Sequence, residues 1–181
     1  MNPLKTIELM IDDPAALLAP GRPAGLGRSA MLGYAAGTLG FFLFLRLYSA
    51  VPPGVMSFLV VLAFVLAFNF LFAGVMHLFL DLTGARGSAG RLFLAFGLTD
   101  LLMSLLVPLA FLAKLGYINA FLALCLCVLL VIYARTRLVR RLYDVSSNKA
   151  LLAVWLPYMG LSAAMFLAFV YSIAWLVWLV I

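Results

Sequence analysis

Long apolar runs separated by short polar breaks set the pattern of this chain from about residue 29 to its last residue. Each run is long enough to cross hydrocarbon as a helix, which takes about 20 predominantly apolar residues. The runs fall at about 29–50, 55–80, 92–113, 118–134 and 150–181. The breaks carry turn and cap residues: Val51-Pro-Pro-Gly54, a glycine-rich basic turn over 82–91, Lys114-Leu-Gly-Tyr117, and Asp144-Val-Ser-Ser-Asn-Lys149. The expected fold is therefore all-α, a polytopic bundle of five transmembrane helices over 29–181. The second run is about 39 Å long as a helix, more than the roughly 30 Å hydrocarbon core, so it must tilt or protrude. Pro108 and Pro157 predict kinks in the third and fifth spans.

The segment before the first span, residues 1–28, is read as a cytosolic or interfacial unit. Asn2 and Pro3 suit a helix start, and Leu4, Ile7, Met10 and Ile11 recur at helical spacing with Lys5, Glu8 and Asp12 off the stripe. This predicts a short amphipathic helix over 3–13 on the membrane surface or against the bundle. The alternative is a poorly ordered tail. The acidic residues of this segment and the late start of the apolar runs argue against a cleavable signal peptide.

Composition agrees with the pattern. Hydrophobic residues make up 67% of the chain and charged residues 10%. A soluble domain has about 25% charged residues. The formal net charge is +6, but the basic residues sit at the ends of apolar runs. That excludes a nucleic-acid groove and fits the inner loops of a membrane protein. With the N-terminus inside, the inner segments hold Lys5, Arg22 and Arg28, then Arg86 and Arg91, then Arg135, Arg137, Arg140, Arg141 and Lys149. The outer loops hold Lys114, and Arg46 lies within the first span near Tyr48, where it can reach the interface. The count predicts N-inside and C-outside.

Polar residues inside the spans mark the candidate chemistry. Asn69, His77, Thr99, Asp100 and Ser104 gather on the second and third spans. Asp100 lies about 13 Å along the axis from Arg91, and Asn69 about 18 Å back from Asp81, so the two sit at similar depth and can meet. A carboxylate in hydrocarbon costs several kcal/mol unless it is paired or protonated. Three readings stay open. Asp100 is a neutral acid bonded to Asn69 or to a hydroxyl such as Ser104, or it pairs with a base from another span, or it titrates in a proton or cation path.

Small residues mark packing faces. Gly33 and Gly37 form a GxxxG spacing extended by Ala30 and Gly40, and Gly160, Ala164 and Ala168 form a second stripe. Close helix contact within the chain is the expected use, with the two stripes as mates, and homo-oligomer contact the alternative. The arginines of the inner turn, Arg86 and Arg91, and of the run Arg135, Arg137, Arg140 and Arg141 either orient the chain or hold anionic lipid headgroups or a partner's acidic face. The turn lacks the Gly-Lys-Ser/Thr ending of a nucleotide loop. Cys125 and Cys127, two apart in mid-span, read as inert thiols. No metal or cofactor is expected.

Several stretches together resemble the Yip domain family. They are the long span ending His77-Leu-Phe-Leu-Asp-Leu82 before the glycine-rich basic turn, the next span opening Arg91-Leu-Phe-Leu-Ala-Phe-Gly97, and the run Ser147-Asn-Lys-Ala-Leu-Leu-Ala-Val-Trp-Leu-Pro157. The resemblance covers about residues 7–157 and rests mostly on glycine, proline and apolar positions. It implies a small polytopic membrane protein. The family is named for binding Rab-type GTPases in eukaryotic secretory membranes and has many bacterial members. The Ala-, Leu- and Arg-rich, compact chain points to a bacterial inner membrane, with the ER or Golgi as the alternative. The expected function is non-enzymatic: organising or binding membrane partners or lipids. The alternative is a small proton- or cation-coupled transporter or channel using Asp100 and Asn69. One histidine and one intramembrane carboxylate are thin material for acid–base catalysis.

Overall fold

The structure, a computed structural model, describes residues 23–48 and 50–180, and these are helical with short connections. The expected amphipathic helix over 3–13 lies outside the described residues. The helices are α1 (Pro23–Leu47), α2 (Val55–Leu82), α3 (Ala89–Asp100), α4 (Leu106–Lys114), α5 (Ala120–Tyr143) and α6 (Ser147–Val180). A five-residue 3-10 segment, Leu101–Leu105, joins α3 to α4. Counting α3 through α4 as one, five helical segments are long and apolar enough to cross a membrane among the described residues.

The boundaries are instructive. The first helix begins at Pro23, ahead of the apolar run that starts at 29, because proline is tolerated in the first helical turn, where its missing N–H has no partner to lose. The fourth apolar run continues as the same helix through the arginines to Tyr143, the continuation expected from the sequence, with the break at Asp144. Asn119 starts that helix, its side chain accepting from the backbone N–H of Phe121 and Leu122. Asp144 ends it in the left-handed conformation. The third span is irregular over Leu101–Leu105, the turn just before Pro108, where the proline ring crowds the preceding turn and offers no N–H.

Close packing centres on α1 and α3. A Cβ built on Gly33 would overlap the Gly97 carbonyl, and one on Gly37 would overlap the Asp100 carbonyl. A Cβ on Gly40 would fall 2.6 Å from the Met103 carbonyl oxygen. The contacts advance together along both helices, so α1 and α3 run in the same direction and touch backbone to backbone. The first small stripe thus has its mate on α3. The expected mate, Gly160 with Ala164, is exposed, with nothing within 4 Å of a Cβ at Gly160. The reason is geometric: residues 159–179 of α6 are exposed throughout, and only its first turns join the bundle.

The main core joins Met76, Leu80, Leu92, Phe96, Val139, Ala153 and Val154, at the end of the bundle that carries the 82–91 turn. A smaller core of Phe44, Leu106, Ala110 and Cys127 lies toward the other end. The turn and the start of α6 meet at the first end. Lys149 Nζ donates to the Thr83 carbonyl at 2.7 Å, and Gly87 lies against the Tyr143 ring, leaving no room for a Cβ.

Candidate functional site: a buried ion pair beneath an apolar cavity

The polar residues of the spans converge between the two cores. Asn69 arrives on α2, Thr99 and Asp100 on α3, Arg135 on α5 and Tyr158 on α6. Arg135 Nη2 lies 2.5 Å from Asp100 Oδ1. The same nitrogen donates to Asn69 Oδ1, and Asn69 Nδ2 donates to Asp100 Oδ2 at 2.7 Å. These three side chains close a ring in which both carboxylate oxygens accept. Arg135 Nη1 donates to the Tyr158 hydroxyl at 3.1 Å, Nε points to Thr99 Oγ1 at 3.4 Å, and the guanidinium sits 4.3 Å from the centre of the Phe96 ring. Thr99 in turn donates to the Phe96 carbonyl at 2.8 Å.

Asp100 and Arg135 are 6% and 4% exposed. Burying such a pair takes both charges out of water, so the remaining lone pairs and N–H groups must be satisfied for it to persist. Asn69, Thr99, Tyr158 and Phe96 do that here. The arrangement therefore behaves as a neutral polar knot that ties α2, α3, α5 and α6 at one depth. Gly37, pressed on the Asp100 backbone, adds α1 to the same junction.

Of the polar cluster expected from the sequence, Asn69, Thr99 and Asp100 meet. Ser104 does not join them. It lies half-buried in the 3-10 segment, its backbone against Gly40. His77 is also apart, about 12 Å further along α2. Its Nδ1 is 2.9 Å from the Tyr143 hydroxyl, which links α2 to the last turn of α5.

Arg135 is the correction of most consequence. Grouped by sequence with the surface arginines, it is buried, whereas Arg86, Arg91, Arg137, Arg140 and Arg141 are exposed. A signal for this was present: Arg135 shares a helical stripe with the buried Val131, Leu138 and Val139, while Arg137, Arg140 and Arg141 lie off it. Tyr34 and Tyr158 were not singled out either. Tyr34 is 1% exposed and donates to the Phe93 carbonyl at 2.6 Å, pinning α1 to α3.

No family model, curated protein or solved structure matches this chain.

Two further features matter. Arg86, Arg91, Arg137, Arg140 and Arg141 share one end of the bundle, while the exposed Arg46, in the last turn of α1, lies at the other. Arg137, Arg140 and Arg141 line a recess of about 650 Å³ with Asp144, Ser146 and Ser147, and Arg86 lines a neighbouring one with Lys149. On the other side of the polar knot, away from that basic end, is a cavity of about 480 Å³. Phe41, Leu45, Val61, Phe64, Val65 and Val128 line it, and Asn69, Asp100, Arg135 and Tyr158 close one end.

Proposed function

We propose that the chain is an integral, multi-pass membrane protein of Yip-like type, non-enzymatic, that organises or binds membrane partners or lipids. The five apolar helices support the membrane setting. The shared basic end supports an N-inside, C-outside topology, in the inner membrane of a bacterium, because cytoplasmic loops carry excess Lys and Arg. The basic end is the face that this reading assigns to anionic headgroups or to an acidic partner.

The observation that carries the reading is the state of Asp100. Both of its carboxylate oxygens are engaged, one by Arg135 and one by Asn69. A carboxylate that relays protons or cations must exchange partners with its cargo. This one is held by a fixed counter-charge from another span, the arrangement of a structural knot.

Reconstitution tests the reading. Purified protein in liposomes should give no proton or cation flux above that of protein-free vesicles. In native membranes, brief cross-linking should trap the chain with itself or with defined neighbours. Flux in the native protein that Asp100→Asn abolishes would overturn the proposal. It would favour a second reading, a proton- or cation-coupled transporter, whose supporting observation is that Asn69 and Asp100 border the cavity.

A further inference from the structure

Two basic recesses meet at the end of the bundle that carries the 82–91 turn. Arg137, Arg140 and Arg141 line the first, of about 650 Å³. Arg86 and Lys149 line the second, of about 460 Å³. Asp144 and Ser146 line both, so they form the partition between the two. Polar atoms make up most of the exposed wall of each recess. The order across this end is therefore cations, an acid, cations. Asp144 is exposed and held in place by its backbone, which ends α5 at φ 48° with its N–H on the Arg140 carbonyl. Its side chain forms no hydrogen bond or ion pair among the described residues, even with arginines sharing its recess.

The flank beneath the first recess suits acyl chains. Leu122, Leu126, Leu129 and Tyr133 are exposed and recur at helical spacing along α5, and Arg137 continues the same stripe. The Arg137 guanidinium lies 5.5 Å from the centre of the Tyr133 ring, so the apolar stripe runs into the recess without a break. On α6, Leu151 and Trp155 are exposed about one and two turns beyond Ser147, which lines the same recess. A free phosphate uses none of this surface. A lipid lays its chains on the stripes and its head in the recess.

The charges define the head. One phosphate fills one recess and leaves the other empty. The carboxylate on the partition repels any phosphate placed between them. A hydroxyl suits that position, since a carboxylate accepts and cannot donate. The sequence of cations, acid and cations is thus matched by phosphate, hydroxyl and phosphate. We propose that the paired recesses hold a lipid whose two phosphates are joined through a glycerol. One phosphate lies on Arg137 and Arg140, the other on Arg86 and Lys149, and the bridging hydroxyl donates to Asp144. Basic pockets on the cytoplasmic side of membrane helices suit such heads. The inference rests on the part of the functional reading that turns the basic end to anionic headgroups, and adds the class of lipid and a role for Asp144.

Native mass spectrometry of the full chain in detergent tests it, by titration with lipids of one acyl composition: diphosphatidylglycerol, its analogue lacking the bridging hydroxyl, phosphatidylglycerol and phosphatidylcholine. Diphosphatidylglycerol should bind at least tenfold tighter than phosphatidylglycerol, because its second phosphate binds as a tethered group at high effective concentration. The deoxy analogue should bind about fivefold more weakly than its parent, the loss of one hydrogen bond. Arg86→Gln should weaken diphosphatidylglycerol about fivefold, one basic contact, and leave phosphatidylglycerol almost unchanged. Asp144→Gly, which the left-handed backbone accepts, should bind the parent and the deoxy analogue equally. Gel filtration and circular dichroism check that each variant folds, and the deoxy analogue on the native chain asks the same question without a substitution. Equal binding of the parent and the deoxy analogue by the native chain would overturn the proposal. So would an Arg86→Gln loss shared equally by diphosphatidylglycerol and phosphatidylglycerol. Glycerol 1,3-bisphosphate bound as tightly as the lipid would assign the recesses to a soluble diphosphate and overturn the lipid assignment. Failure of the broader reading looks different: neither anionic lipid would then bind more tightly than phosphatidylcholine.

Discussion

Arg135 and Asp100 lie 35 residues apart on different helices, yet their side chains meet at 2.5 Å in the interior of the bundle. Neither charge is tolerable there alone. Arg135→Met should therefore strand the carboxylate and destabilise the protein by about 3–5 kcal/mol, the usual cost of removing one partner of a buried pair. The double change Arg135→Met with Asp100→Leu should be far milder than the sum of the singles, since apolar side chains of similar volume replace buried pairs well. Unfolding in mixed detergent micelles gives the cycle. Additive losses would show that the pair does not couple.

Arg135→Lys keeps the charge and loses the fork. A lysine ammonium is one point of charge and cannot hold Asn69, Asp100, Thr99 and Tyr158 at once. The variant should fold but lie between the native protein and Arg135→Met in stability, by the same measurement.

The two small-residue stripes should respond in opposite ways. Gly33 and Gly37 touch the backbone of α3, so Gly37→Leu forces α1 away from Asp100 and opens the polar knot. Folded yield by fluorescence-detected gel filtration should collapse. Gly160→Leu meets nothing within 4 Å and should change stability by about 0.5 kcal/mol or less, as exposed substitutions do. If lost yield instead followed Gly160→Leu, the second stripe would be the one that packs.

These contrasts show what was legible in the sequence. The five apolar segments and the meeting of Asn69 with Asp100 could be read from run length and from 1.5 Å per residue, because depth along a helix depends only on counting. The partner of Gly33 and Gly37 could not, since a small-residue stripe declares a close contact without naming the other helix. Arg135 was misplaced for a different reason. It stands at the first polar position after an apolar run, where orienting charges are also found, and only its angular position on the helix separates it from Arg137. The cavity had no sequence signal, because it forms where six segments of the chain leave space.

Topology offers a direct check. In a background with Cys125→Ala and Cys127→Ala, single cysteines at Ser88 and Ser147 should react with an impermeant maleimide from the same side, and one at Tyr117 from the other. The 82–91 turn and the start of α6 are joined by the Lys149–Thr83 bond, which fixes the first two at one end. With the basic end inside, inverted vesicles label Ser88→Cys and Ser147→Cys, and right-side-out vesicles label Tyr117→Cys. Labelling of all three from one side would mean that the helices do not cross the bilayer as a bundle.

The exposed arginines separate from the buried one by what salt does to them. Arg137 and Arg140 stand in the recess at the start of α6, and a basic residue near an anionic membrane surface contributes about 1 kcal/mol. Arg137→Gln with Arg140→Gln should thus weaken retention of anionic phospholipid by about 2 kcal/mol, on the order of thirtyfold. Unfolding in micelles should be almost unchanged, because neither side chain is buried. Native mass spectrometry counts the retained lipid. In the native protein the count should fall as ionic strength rises, since the Debye length shrinks from about 10 Å at 0.1 M to 3 Å at 1 M. The Arg135–Asp100 pair is shielded from that screening by burial, so the stability conferred by the knot should hold at the same salt concentrations. A retained anionic lipid indifferent both to salt and to these two arginines would have to be bound elsewhere, and the basic end would then serve only to orient the chain.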